Sequence, residues 1–298
     1  RMAAAMSGLA LTLRHSRFDA VLVLHHLTTP LGAAKYAALC LAAGARVRAG
    51  LDNGRGGFLS HRAADHGFGA RHEVEYWNDV AGLLGAAPDY GPLEFAVPPA
   101  DAATARSLLD GMRGPLVAVH PGAGAFSLAR RWPLERFIRV VETLTTKLDA
   151  SVVLVGGGEE AGLGAALGEA GPPGRILDLT GRTTLGQLGG VLARCRLFVG
   201  NDSGVMHLAA AVGTSVLALF GPSNHRAWGP WTPNRPSIVI RSGIPCSPCL
   251  YREHSLGTPE GCPIRPCLSM ITSEQVVDTI EQRLAAGTQP ADIGDPDR

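Results

Sequence analysis

Lysine is almost missing from this 298-residue chain. Of its 27 basic residues only Lys35 and Lys147 are lysines, and 26 acidic residues bring the formal net charge to +1. A field so close to neutral argues neither for nor against nucleic acid, and no nucleic-acid partner is expected. Aromatic residues are scarce, at 5%. The apolar stretch from Ala3 to Leu13 falls well short of the about 20 residues a membrane-spanning helix needs. No small-x-small cleavage site follows it, so a packed helix is expected there rather than a signal peptide, and an intracellular protein. No fixed-period repeat is present. What remains is 46% hydrophobic and 18% charged residues, the balance of a globular protein with sizeable cores, at a length that suits two domains.

From Leu116 onward strand-like and helix-like patterns alternate regularly. "LVAVH" (116–120), "SVVLVGG" (151–157), "RILDL" (175–179), "LFVGN" (197–201) and "SVLALFG" (215–221) read as buried strands. Between them, "PLERFIRVVETLTTKL" (133–148) carries Leu134, Phe137, Ile138, Val141 and Leu148 on one helical stripe, with Pro133 placed at the first helical position. Helices are also expected over about 159–169, 184–195 and from Gly204 to Gly213. This alternation means a doubly wound parallel sheet. Earlier, "DAVLVLHH" (19–26) and "ARVRAGL" (45–51) look like strands flanking the helix "LGAAKYAALCLAAG". A Pro-rich segment near 88–100 and the helical "DAATARSLLDGM" mark the connection between domains. The expected division is 1–113, 114–286 and a polar, disordered tail at 287–298.

Ligands of open parallel sheets sit beyond the carboxyl ends of the strands. The strongest candidate there is "VGNDSGVMHLAAAVG" (199–213). Asp202-Ser203-Gly204 would aim free N–H groups outward from a helix N-terminus, a ready anion site. Gly204 removes bulk, and His207 lies four residues after Ser203 on the same face. An ordinary capped helix with a packed histidine fits the stretch as well. "HPGAGAFSLARRWP" (120–133) adds a Gly-rich turn and the pair Arg130-Arg131, suited to phosphate or simply solvated. "VGGGEEAG" matches a dinucleotide fingerprint through Gly156, Gly158 and Ala161, with Asp178 beyond. Glu159 and Glu160 in that turn oppose a pyrophosphate, and a carboxylate suits ribose hydroxyls better.

In this order the pieces "HPGAG…ARRWPLERF", "VVLVGGGEE", "LDLTGRTTLGQL" and "VGNDSGVMHLAAAVGTSVLALFGPS" resemble the ADP-heptose:lipopolysaccharide heptosyltransferase family, glycosyltransferase family 9. The resemblance is close over about 116–223 and looser through "FDAVLVLHH" and "PCSPC…CP…CLSMITSEQVV". It implies an α/β GT-B fold: two Rossmann-like domains, acceptor-side then donor-side, with the active site in the cleft. It implies inverting, metal-independent transfer of heptose from ADP-heptose to a lipopolysaccharide or other surface-glycan acceptor, in the cytoplasm and peripheral at the inner membrane if the acceptor is membrane-borne. The amides of Ser203 and Gly204 would hold the donor diphosphate, with Gly122 admitting it and Asp202 and His207 positioning it. Arg131 matches the basic residue before the family's Trp-Pro and would neutralise charge on departing ADP. Glu160 matches an acid near the donor ribose.

The family opens with a strand and a Gly-Asp turn whose aspartate is the implied general base. Nothing before Asp19 supplies it, so the first domain is expected to lack its first strand. Asp52 in "GLDNGRG" is a candidate substitute base, although the Asp-Asn-Gly loop accounts for it first as a turn residue. The alternative function is a non-catalytic nucleotide-sugar-binding or scaffold protein, and a nucleotide-sugar epimerase shares the architecture. Cys246, Cys249, Cys262 and Cys267 form C-x2-C-x12-C-x4-C, a spacing that suits a structural zinc or leaves reduced thiols. Cys40 and Cys195 read as core residues.

Overall fold

Parallel strands organise both halves of the chain. The computed structural model describes residues 2–124, 128–235, 237–250, 262 and 264–286; the tail expected to be disordered, 287–298, lies outside them. Contacts divide the chain into two units, Arg1–Tyr90 and Gly91–Arg298.

In the first unit α1 (Met2–His15) is followed by β1 (Ala20–Val23), α2 (Pro30–Ala43), β2 (Val47–Asp52), β3 (His61–Ala64) and α3 (Glu73–Gly82). The strands lie in the order β1-β2-β3, all parallel. Helix α2 starts where the Thr29 hydroxyl accepts the Gly32 N–H, and stops at Gly44, φ +66°, a left-handed position that glycine takes without a Cβ clash. Val23, Leu27, Cys40 and Leu59 form one buried cluster, and Ala49, Leu51, Tyr76 and Val80 another.

Three ionisable side chains are buried at the carboxyl ends of these strands. His26 Nδ1 lies 2.8 Å from Asp65 Oδ1, and its Nε2 lies 3.1 Å from Glu73 Oε1. Asp65 also accepts from Asn53 and from the Gly67 N–H. Burial works against the imidazolium, but the hydrogen bonds and charges of Glu73 and Asp65 outweigh it and hold the His26 pKa above its ordinary value.

The second unit runs α4 (Pro99–Leu108), β4 (Leu116–His120), α5 (Leu134–Thr146), β5 (Ser151–Leu154), α6 (Ala161–Gly168), β6 (Ile176–Asp178), α7 (Leu185–Leu192), β7 (Leu197–Asn201), α8 (Gly204–Ala211), β8 (Ser215–Leu219), α9 (His225–Trp228), β9 (Ile238–Ile240), α10 (Pro266–Ser269) and α11 (Ser273–Ala285). Its six strands are all parallel, in the order β6-β5-β4-β7-β8-β9. Both sheet faces are covered, which is why β4, β5, β7 and β8 read as continuous apolar runs. One face packs Phe137, Val140, Val141 and Leu144 of α5 with Val276 and Ile280 of α11. The other packs Ala105 of α4, Val191 and Leu192 of α7, and Met206 and Ala209 of α8.

The division by contacts falls at 90/91, inside the Pro-rich segment, and the reason is local. Helix α4 lies so close to α7 that a Cβ on Gly190 would stand 2.9 Å from the Ala105 Cβ, and one on Gly189 would stand 2.7 Å from the Phe95 ring. Ala105 and Leu109 therefore belong to the second unit's core, with Phe95, Val97 and Leu108 packed against it.

Candidate functional site

The strand order reverses between β4 and β7, the switch point at which doubly wound sheets bind ligands. Two loops meet there. Asn201, the last residue of β7, is fully buried. Its amide nitrogen donates to the Pro121 and Gly122 carbonyls, each at 2.9 Å, and its oxygen accepts the Trp132 N–H at 3.0 Å. One side chain thus fastens the "HPGAG" turn and the Arg-Arg-Trp segment to the end of β7. Sequence reasoning assigned it nothing, although a polar residue closing an apolar strand was the available signal.

Beyond Asn201 the chain turns into α8 as expected. Ser203 is the N-cap, its hydroxyl accepting the Met206 N–H, and among the described residues no atom beyond the local backbone stands within 4 Å of the Cβ position of Gly204. At the start of α8 lies a cavity of about 170 Å3 lined by Arg130, Asp202, Ser203, Gly204, His207, Ser223, Trp228 and Leu250. Asp202, Ser203, Gly204 and His207 are therefore brought together. Arg130 reaches Asp202, NH1 to Oδ2, at 3.4 Å. The Ser223 hydroxyl, on the loop that follows β8, is buried and makes no hydrogen bond among the described residues. It was missed because a Gly-Pro-Ser after a strand reads as a turn.

Arg131 does not line this cavity. The short 3-10 turn Leu128–Arg130 advances about 120° per residue, so neighbouring arginines point to different places. Arg131 stands 3.8 Å from Glu160 Oε1 and lines a separate cavity of about 420 Å3 with Pro121, Trp132, Leu163, Arg265 and Leu268. Of the two arginines it is Arg130 that shares a cavity with Ser203 and Gly204 at the start of α8.

Glu160 is committed inside the protein. Its side chain is 2% exposed. One oxygen accepts the Gly124 N–H, and the other accepts the Gly157 N–H and lies 2.8 Å from His120 Nε2. Burial raises its pKa, but the hydrogen bond and charge of His120 and the two amides prevail, and the pKa falls to about 2. A Cβ on Gly122 would fall on Glu160 Oε1, so Gly122 makes room for this carboxylate. The Gly157 amide that a dinucleotide pyrophosphate would need is already taken. His120, at the end of β4, also approaches Ser203 Oγ at 3.0 Å.

Asp52 closes its own loop, with Oδ1 accepting the Gly54 and Gly56 N–H groups at 2.8 and 2.7 Å. The Gly56 bond foremost holds its carboxyl below the usual range, which makes it a weak proton acceptor. Cys246 is exposed, Cys249 and Cys262 are half-buried, and Cys267 is buried, with residues 251–261 outside the description. Burial pushes the Cys267 thiol up to about 11, with further contributions from Cys249 and Cys246 nearby. Among the described residues no three His, Cys, Asp or Glu are arranged to hold a metal ion. Cys40 and Cys195 are core residues. No helix among the described residues is long and apolar enough to cross a membrane.

Comparison with known proteins gives the architecture its context. The crystal structure of a family 9 glycosyl transferase from Veillonella parvula matches 95% of this chain and 79% of its own, with TM-score 0.70 and 24% identity. The E. coli ADP-heptose lps heptosyltransferase II matches 96% and 82%, with TM-score 0.65 and 22% identity. These likenesses show the fold, GT-B with two Rossmann-like domains. In sequence, lipooligosaccharide heptosyltransferase 2 of Campylobacter jejuni is 26% identical over 57% of this chain and 51% of its own length. Lipopolysaccharide heptosyltransferase 3 of E. coli K12 is 30% identical over 61% and 50%. The chain spans about half the length of these two curated relatives. The profile of glycosyltransferase family 9 (heptosyltransferase) matches residues 6–259, and the chain belongs to that family.

Proposed function

We propose that the second unit binds the diphosphate of a nucleotide sugar at the β7–α8 turn, and that the protein moves a heptose from ADP-heptose to a lipopolysaccharide or other surface-glycan acceptor. One observation carries the reading: Ser203 and Gly204 at the start of α8, Arg130 and Ser223 line one cavity. Helix dipole, fixed cation and free donor are what a diphosphate requires. The names of the relatives supply the sugar and the acceptor class.

In this reading the transfer inverts the anomeric centre and uses no catalytic metal, because Arg130 and the α8 amides meet the charge that develops on departing ADP. Arg131 acts on the adenosine side. Asp202 holds Arg130, and His207 lines the sugar end. Acceptor contacts come from the first unit, and the protein works in the cytoplasm at the face of the membrane that carries the acceptor. A zinc ion on Cys246, Cys249, Cys262 and Cys267 would be structural.

The engagement of Asp52 by Gly54 and Gly56 favours a second reading, donor binding without transfer. Thermal unfolding in EDTA with ADP, ADP-heptose, UDP-sugars, GDP-sugars and NAD tests the donor site. A native-state ligand at a hundred times its Kd stabilises by about 2.7 kcal/mol. A shift with ADP-heptose and none with NAD is expected; no shift with any nucleotide rejects the donor site. Product analysis with acceptor then separates transfer from binding alone.

A further inference from the structure

The amino ends of the first unit's strands carry a cationic hollow. A cavity of about 250 Å3 there is lined by Arg14 near the end of α1, by Arg17, Phe18 and Asp19 ahead of β1, and by Gly44 and Arg46 ahead of β2. A Cβ on Gly44 would fall on Arg14 NH1, so this guanidinium rests against the C-terminal turn of α2, whose carbonyls attract a cation. Arg17, with φ +49°, turns the chain from α1 toward β1. Among the described residues the side chains of Arg14, Arg17 and Arg46 make no hydrogen bond and no ion pair. Asp19 is the only acidic residue between positions 1 and 51.

The rim of this hollow is apolar. Phe18 lines it and is 47% exposed. Leu11, one turn before Arg14 on α1, is 60% exposed, and Leu41, one turn before Gly44 on α2, is 65% exposed; residues three apart share a helix face. Single exposed leucines are ordinary. Here three apolar side chains flank three cations whose sole neighbouring counter-charge is Asp19. A soluble phosphate would meet the arginines and leave the rim in water. A bilayer surface matches both, because anionic headgroups meet the guanidinium groups while Leu11, Phe18 and Leu41 enter the boundary between headgroups and acyl chains.

Resting on the membrane location proposed above, we propose that this face of the first unit docks on an anionic bilayer, with a lipid phosphate seated among Arg14, Arg17 and Arg46. An arginine held near such a surface strengthens binding roughly fivefold, and salt weakens the attraction. Asp19 opposes it in part. The hollow and the buried group His26, Asp65 and Glu73 lie at opposite ends of the parallel strands, so docking leaves the carboxyl ends of this sheet uncovered.

The test is co-sedimentation of the whole chain, without nucleotide, with vesicles of phosphatidylcholine alone or with about a third phosphatidylglycerol. Binding to the mixed vesicles is expected, at least about tenfold weaker on phosphatidylcholine and released by high salt. Arg17→Gln with Arg46→Gln should weaken it by about 25-fold. Phe18→Ser with Leu41→Ser should weaken it by at least about fivefold. Either pair decides the matter if circular dichroism shows the other unfolded. Arg106→Gln with Arg139→Gln removes the same charge from exposed positions of the second unit and should change binding by less than about twofold. Mixed-vesicle binding that survives the first two pairs, or an equal loss in the third, overturns this docking face and leaves the membrane location standing. No binding to the mixed vesicles overturns both, even where calorimetry finds free glycerol 3-phosphate at the arginines. The donor site is tested separately by its thermal shift with ADP-heptose.

Discussion

Arg130 and Asp202 meet at 3.4 Å, NH1 to Oδ2, from the loops that follow β4 and β7. The pair keeps a guanidinium beside the first turn of α8, and the Arg130 Nε is buried with no hydrogen bond among the described residues. Its NH2 group donates to the Ala123 carbonyl, so of this guanidinium it is Nε that stands without a partner beside the helix N-terminus, a donor whose burial costs unless it is satisfied.

Arg130→Ala should weaken ADP by about 10- to 100-fold, the value of a charge-assisted hydrogen bond, and leave adenosine affinity unchanged. Arg131→Ala should affect adenosine and ADP alike. Titration of the four combinations checks this, and a larger ADP-specific loss in Arg131→Ala would return the diphosphate role to that residue.

Asn201→Ala removes three buried hydrogen bonds and strands two carbonyls and one N–H. A destabilisation of about 3 kcal/mol or more is expected, read from urea unfolding. Asn201→Asp should fall in the same range, because a carboxylate cannot donate to the Pro121 and Gly122 carbonyls. A change below about 1 kcal/mol in both variants would mean that the two loops are held by other contacts.

Stability should depend on pH at two places, with opposite signs. The folded pKa of Glu160 is about 2 against an ordinary 4.5, so its contribution, about 3 kcal/mol, is present above pH 4.5 and is lost as pH falls toward 2. His26 has its folded pKa raised above 6.5. Its contribution is complete below pH 6.5 and fades as pH rises through the folded value. Hydrogen exchange of the β1–β3 segment should therefore quicken, relative to the second unit, on the alkaline side of neutrality, and His26→Gln should flatten that slope.

Metal analysis of the purified chain should find about one zinc per molecule if Cys246, Cys249, Cys262 and Cys267 form a closed tetrahedral site. Below about a tenth of an equivalent, after preparation without chelator, the four thiols are reduced side chains of a loop region and the spacing has no metal behind it.

The second unit was legible because each of its central strands is buried on both faces. Runs such as "LFVGN" and "SVLALFG" then admit little else between turn residues. Strand β3, "HRAA", was not legible: three of its four side chains are exposed, so no apolar alternation marks it. The site divided in the same way. Asp202, Ser203, Gly204 and His207 lie within one turn and were found together. His26 and Glu73 are 47 positions apart, and only the folded sheet joins them. Arg130 and Arg131 were both visible, but adjacent letters in a one-turn helix carry no information about which cavity each enters.

The contact between Gly190 and Ala105 bears on where the gene can be divided. A fragment opening at residue 91 keeps α4 as the cover of α7. One opening at 114 leaves Gly189 and Gly190 as a bare glycine trough beside Val191 and Leu192, an apolar strip exposed to water. The shorter fragment should be recovered as aggregate and the longer as soluble protein, so a difference of 23 codons separates a usable second unit from an insoluble one.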